Sequence, residues 1–184
     1  MKPGVRALGI AESVVGTTSV HCGAVVTARG RLDGLAFESR PVGGLEATDA
    51  VADLWAALDR ADVRFLLIGG VAPAWYDVLD LPAIAARVPV PLLAITFERG
   101  GDLAPHLETQ FGGPALAERR RRYRSLTAPT AVDVGDDTVY VRSWNLVDRD
   151  PADVCRHFTL DGGRPEPIRV ARLAARARHA NRCR

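Results

Sequence analysis

The residues best equipped for chemistry follow one apolar run. Phe65-Leu66-Leu67-Ile68 reads as a strand buried on both faces, and it ends on Gly69-Gly70. The glycines let the backbone turn sharply and come close to whatever lies beyond the strand's carboxyl end. Trp75, Tyr76, Asp77 and Asp80 come next, the mixture of rings and carboxylates expected where a strand delivers side chains to a cleft. Trp75 and Tyr76 either stack on an extruded nucleobase or belong to the core. Asp80 has an ordinary role open to it as the N-cap of a helix whose first turn holds Pro82. Elsewhere the reactive residues are dispersed. Cys22, Cys155 and Cys183 are widely spaced with no CxxC pair, and His21, His106, His157 and His179 share no ligand spacing. Neither a disulfide framework nor a structural zinc is supported, and Cys22 reads as a small buried hydrophobe.

The elements that position these residues belong to an ordinary soluble chain. Its 184 residues fit one domain, 1–184, with 47% hydrophobic and 25% charged residues. The N-terminus lacks a signal-peptide core and no apolar segment could span a bilayer, so the expected location is the cytoplasm, with no membrane partner. A net charge of +2 is too small to identify a partner, but Lys2 is the only lysine. The positive charge is therefore nearly all arginine, which grips phosphate in a bidentate way; a GC-rich genome would give the same bias. The run Arg119–Arg122 sits on a helical segment where consecutive residues point around the axis, so it reads as a solvated surface. In the last helix, at about 165–180, Arg169, Arg172 and Arg176 separate from Val170, Leu173 and Ala174 and form a better basic stripe for a nucleic-acid backbone.

Taken in order, segments 5–10, 19–28 and 32–39 read as an antiparallel meander joined by short turns. After Gly43-Gly44 the period changes to 3.6, with Val51, Leu54, Trp55 and Leu58 on one helix face and Thr48 as N-cap candidate. The central strand, a short helix over 81–88, a strand over 91–97 and helices over 102–111 and 114–126 follow. A turn at Gly135-Asp136-Asp137 precedes a strand over 138–142, and the tail from Pro151 is helical in two pieces. The expected class is α/β, a mixed sheet with helices on both faces.

This order resembles a ribonuclease-H-like fold, and four segments resemble one archaeal family within it. They are Leu8-Gly9-Ile10 with an acid after it, Glu46-Ala47-Thr48-Asp49-Ala50, Gly70-Val71 with Trp75-Tyr76-Asp77-Val78-Leu79-Asp80, and Gly163-Arg164-Pro165-Glu166-Pro167-Ile168-Arg169. The family is endonuclease dU, similar in fold to endonuclease V. The resemblance implies a Mg²⁺-dependent (or Mn²⁺-dependent) endonuclease of DNA repair acting on deoxyuridine-containing DNA, its carboxylates converging on metal. On that basis Glu12, Asp49 and Asp80 are the expected metal ligands, with Arg99 near the phosphate. Trp75, Tyr76, Arg169, Arg172 and Arg176 are the expected nucleic-acid contacts.

The chain also departs from the family. Where the pattern has Gly-Ile-Asp-Asp it has Gly9-Ile10-Ala11-Glu12, and where Asp-Gly-Val is expected it has Gly69-Gly70-Val71. Two positions for metal ligands carry no carboxylate, and a depleted shell holds metal and water poorly. Each remaining acid has an ordinary reading beside the functional one: Glu12 as a solvated strand-end carboxylate, Asp49 as a first-turn acid on the helix dipole, Asp80 as a cap. The alternative function is a catalytically inactive member that binds nucleic acid or a protein partner through the last helix. An unrelated small-molecule domain using the Gly69-Gly70 tip as a phosphate turn has no GxGxxG or P-loop spacing behind it.

Overall fold

The strands β1 (Arg6–Val15), β2 (Thr18–Thr27) and β3 (Leu32–Pro41) pair antiparallel, as the β-branched segments and short turns predict. The computed structural model describes residues 1–180; Cys183 lies outside the described residues. β1 is longer than expected. It runs on to Val15, paired with Thr18 across a tight turn at Gly16, whose φ of +58° suits glycine. Glu12 therefore lies inside the strand, opposite His21, instead of after its end.

The chain then crosses through α1 (Ala47–Leu58) to β4 (Val63–Gly69), parallel to β1. A single turn, α2 (Pro73–Tyr76), and the short helix α3 (Leu81–Arg87) lead to β5 (Leu92–Thr96), parallel to β4. Helices α4 (Ala104–Gln110) and α5 (Gly113–Ser125) precede a hairpin of β6 (Thr130–Val134) and β7 (Asp137–Trp144). β7 pairs antiparallel with β5, so the seven strands lie in the order β3-β2-β1-β4-β5-β7-β6. The tail forms α6 (Pro151–Phe158) and α7 (Glu166–Ala180). Among the described residues no helix is long and apolar enough to cross a membrane.

Strand alternation divides the core in two. Ala7 and Ala11 of β1, Phe65 and Leu67 of β4, and Leu93 and Ile95 of β5 face α6 and α7. Leu8, Ile10, Leu66, Ile68, Leu92 and Ala94 face α1 and α3, whose Val51, Leu54 and Ile84 are buried there. The α7-facing side of β1 is kept small for a reason. A Cβ on Gly9 would lie 2.0 Å from the carbonyl carbon of Pro167, so the helix rests directly on the strand's backbone. Glu166 at the start of α7 is buried and takes both arms of the Arg169 guanidinium, at 2.8 and 2.7 Å.

Candidate functional site

Because β1, β4 and β5 are parallel, their carboxyl ends share one edge of the sheet, where open α/β sheets bind ligands. A cavity of about 940 Å³ lies there, lined among others by Glu12, Gly69, Gly70, Thr96, Arg99 and Arg142. Glu12 and Arg99 are thus brought to one cleft. Asp49 and Asp80 are absent from its lining. Asp49 accepts a hydrogen bond from Arg87 Nη1 at 2.6 Å, both side chains being more than half exposed. Asp80 caps α3, accepting from the Ala83 N–H at 3.1 Å, and its other oxygen accepts from Arg121 at 2.6 Å. Burial alone would raise its pKa, but the Arg121 guanidinium and the Ala83 N–H hold the carboxyl below the usual range.

Alternation also separates Glu12 from the two departures. Ala11 belongs to the core facing α7, and a Cβ on Gly69 would meet Ile168 Cγ2 of that helix at 2.9 Å. Glu12, one residue on from Ala11, points to the α1 side with Ile10. It cannot replace an acid at 11 from the opposite face of the sheet. The space in front of position 69 holds Ile168, an apolar side chain that offers a metal nothing, and Ala11 is packed into the same apolar core. Among the described residues no group of three or more His, Cys, Asp or Glu is arranged to hold a metal ion. The residues present do not fit the metal centre that the resemblance implies.

Glu12 belongs instead to a short polar chain between two strands. Ser19 Oγ donates to Glu12 Oε2 at 3.4 Å and lies 3.3 Å from His21 Nε2. Burial, reinforced by the Arg40 charge, pushes the His21 pKa down to about 4, so the ring is neutral near pH 7. This arrangement can orient a carboxylate at the cleft. Cys22 and Cys155 are buried, and burial pushes both thiols up to about 12, far from nucleophilic use.

The rim beside Pro73 has an unusual backbone. Ala74, Trp75 and Tyr76 take φ values of +49°, +64° and +61°, a left-handed turn made without glycine. It costs about 1–2 kcal/mol per residue and needs support from elsewhere. Arg119 supplies it, and here the expected solvated run Arg119–Arg122 requires correction. Residues three apart share a helix face, and Arg119 and Arg122 turn inward. Arg119 is 1% exposed. It donates to the carbonyls of Tyr76 at 2.9 Å and of Gly43 and Gly44 at 2.6 Å each, and lies over the Phe111 ring. Arg122 donates to the carbonyls of Leu45 and Val78, both at 3.1 Å. The held turn displays Trp75, which is 58% exposed and outside the core, edge-on to Tyr76.

The arginines of α7 form a second feature. Arg164, Arg169, Arg172 and Arg176 surround a shallow cavity of about 300 Å³. Burial and the neighbouring Arg172 and Arg176 charges lower the pKa of Arg164. Its guanidinium covers the Phe97 ring at 3.7 Å, just past Thr96 of the cleft. Cleft and patch lie on opposite faces of the sheet and meet at its edge. Sequence reasoning missed the β7 wall of the cleft, Tyr140 and Arg142, together with Tyr123 of α5. The available signal was alternation: Tyr140 and Arg142 flank the buried Val141.

Comparison with known proteins is consistent along the whole chain. The profile of the family described as endonuclease dU matches residues 3–179. A relative described as "UPF0215 protein" from Pyrobaculum calidifontis is 33% identical over 175 residues, covering 91% of this chain and 93% of its own length. The crystal structure of an Archaeoglobus fulgidus protein of unknown function superposes with a TM-score of 0.82 at 20% identity, covering 94% of this chain and 97% of that one. Endonuclease V of Ciona intestinalis, solved with a 24mer DNA containing an inosine, gives 0.63 at 11% identity, covering 96% and 86%. At these identities the structures show the shared fold, a ribonuclease-H-like mixed sheet.

Proposed function

Because this chain belongs to the endonuclease dU family, we propose that it recognises DNA, deoxyuridine-containing strands above all, and has given up metal-dependent cutting. The carrying observation is the donor set. Ala11 and Gly69 stand where the family's acids are expected, Ile168 fills the space before Gly69, and Glu12 points to the other face. What remains suits recognition: a cleft whose Arg99 and Arg142 have no ion pair among the described residues, an exposed tryptophan on a braced turn, and a basic patch on α7. Trp75 and Tyr76 serve as the stacking rings, and Arg169, Arg172 and Arg176 as backbone contacts.

The second reading is a DNA repair endonuclease using Mg²⁺ or Mn²⁺, with Glu12, Asp49 and Asp80 as ligands and Arg99 at the phosphate. It is favoured by the presence of Glu12 and Arg99 in one cleft. A labelled oligonucleotide carrying one deoxyuridine separates the two. Binding without cutting, unchanged by Mg²⁺, Mn²⁺ or a chelator, supports recognition. Metal-dependent cutting that disappears in Glu12→Gln overturns it in favour of the nuclease.

A further inference from the structure

We propose that the β7 wall of the cleft is a subsite for single-stranded nucleic acid, in which Arg142 holds a backbone phosphate and Tyr140 stacks on a base. The inference rests on the DNA-recognition reading above and adds residues to it. β7 is paired to β5 so that Tyr140 lies opposite Thr96 and Arg142 opposite Ala94. Val139 and Val141 are buried on the other side, which sends Tyr140 and Arg142 together to the face that Glu12 and Thr96 share. All four line the same cavity.

Arg142 is prepared for an anion. Its Nε donates to the Thr127 carbonyl at 2.7 Å, which fixes the guanidinium plane. Among the described residues its terminal nitrogens have no hydrogen-bond partner and no carboxylate forms an ion pair with it. Burial disfavours its charge, so an incoming phosphate would relieve an uncompensated cation. Nearby Asp102 is already engaged, accepting from the Tyr123 hydroxyl at 3.0 Å and from the Ala104 N–H at 2.9 Å. Arg99, on the same cavity, is also without an ion pair among the described residues. A groove with two guanidiniums that have no ion pair among the described residues, and with tyrosine rings, matches the needs of a single strand, whose bases are open to stacking. A duplex keeps its base faces stacked on one another and offers none to Tyr140.

Anisotropy of a labelled single-stranded oligonucleotide of roughly ten nucleotides, titrated across salt, tests this. Arg142→Gln is expected to weaken binding about tenfold and to reduce the salt slope by about 0.7. Tyr140→Leu should weaken it at least about fivefold with the slope unchanged. Arg142→Lys guards against a folding artefact, since it should restore the slope without restoring full affinity. Wild-type binding by Arg142→Gln and Tyr140→Leu, with Arg99→Ala weakened, would overturn the subsite and leave DNA recognition standing. Loss only in Arg172→Ala with Arg176→Ala would also overturn it, moving the strand to α7. If the wild-type protein bound no oligonucleotide at any salt, the DNA reading itself would fall.

Discussion

The Asp77 carboxylate accepts the backbone N–H of Ala47 at 2.7 Å, so a residue from the loop after β4 caps α1, whose own Glu46 makes no side-chain cap. The other oxygen, Oδ1, is buried without a hydrogen bond, with Arg122 at 3.6 Å. Burial outweighs both neighbours and pushes the Asp77 pKa up to about 6. A carboxyl raised in the folded state adds stability that is complete below the unfolded pKa and lost as pH rises to about 6. His21, lowered to about 4, does the opposite: its contribution is complete above its ordinary value and lost as pH falls toward 4. Each shift corresponds to about 3 kcal/mol, and the two slopes oppose each other between about pH 4 and 6. Asp77→Asn should therefore give a stability that climbs steeply with pH across this window, and His21→Gln one that falls. Urea denaturation at several pH values measures both, and parallel profiles for the two variants would refute the assignment.

Arg119 holds the left-handed turn through three carbonyls of two separate segments. Arg119→Ala should cost about 1–3 kcal/mol, because the buried carbonyls of Gly43, Gly44 and Tyr76 lose their donor. Trp75 fluorescence should also change in its quenching by iodide, because the turn loses its brace. A stability loss under 1 kcal/mol would show the turn to be self-supporting.

The metal disagreement can be engineered in reverse. Ala11→Asp with Gly69→Asp should fold poorly, because the new side chain at 69 meets Ile168. Adding Ile168→Ala should recover folding and create Mn²⁺ binding detectable by calorimetry, with the wild-type protein showing no saturable heat. Comparable Mn²⁺ affinity in both would contradict the argument from strand faces.

The α7 patch should show itself through ions. Arg172→Ala with Arg176→Ala removes two cations that have no ion pair among the described residues. If both contact duplex phosphates, the slope of log K against log salt should fall by about 1.8. An unchanged slope would remove this helix from the interface.

The succession of strands and helices along the chain and the helix faces were legible because their patterns repeat locally. The β-branched run of β2, the stripe Val51-Leu54-Trp55-Leu58 and the arginines of α7 are each patterns within one segment. The misses need pairs far apart in sequence. Thr48 looks like the N-cap of α1, yet it sits inside the helix and accepts from the Asp80 N–H, while Asp77 does the capping. Arg119 looks solvated until Gly43 and Tyr76 are brought to it. Glu12 reads as a strand-end residue in sequence because the pairing that extends β1 to Val15 depends on β2.

The seating of α7 against the backbone of β1 has a consequence for how this protein is made. Every strand precedes α7 in the sequence, so any sheet that forms during synthesis has one side of β1 and β2 bare until that helix emerges. Cys22, Ala24 and Leu67, fully buried in the finished molecule, stay wet until the helix arrives. A ribosome that stalls before Glu166 would release a chain with an adhesive apolar face, a ready substrate for chaperones and proteases.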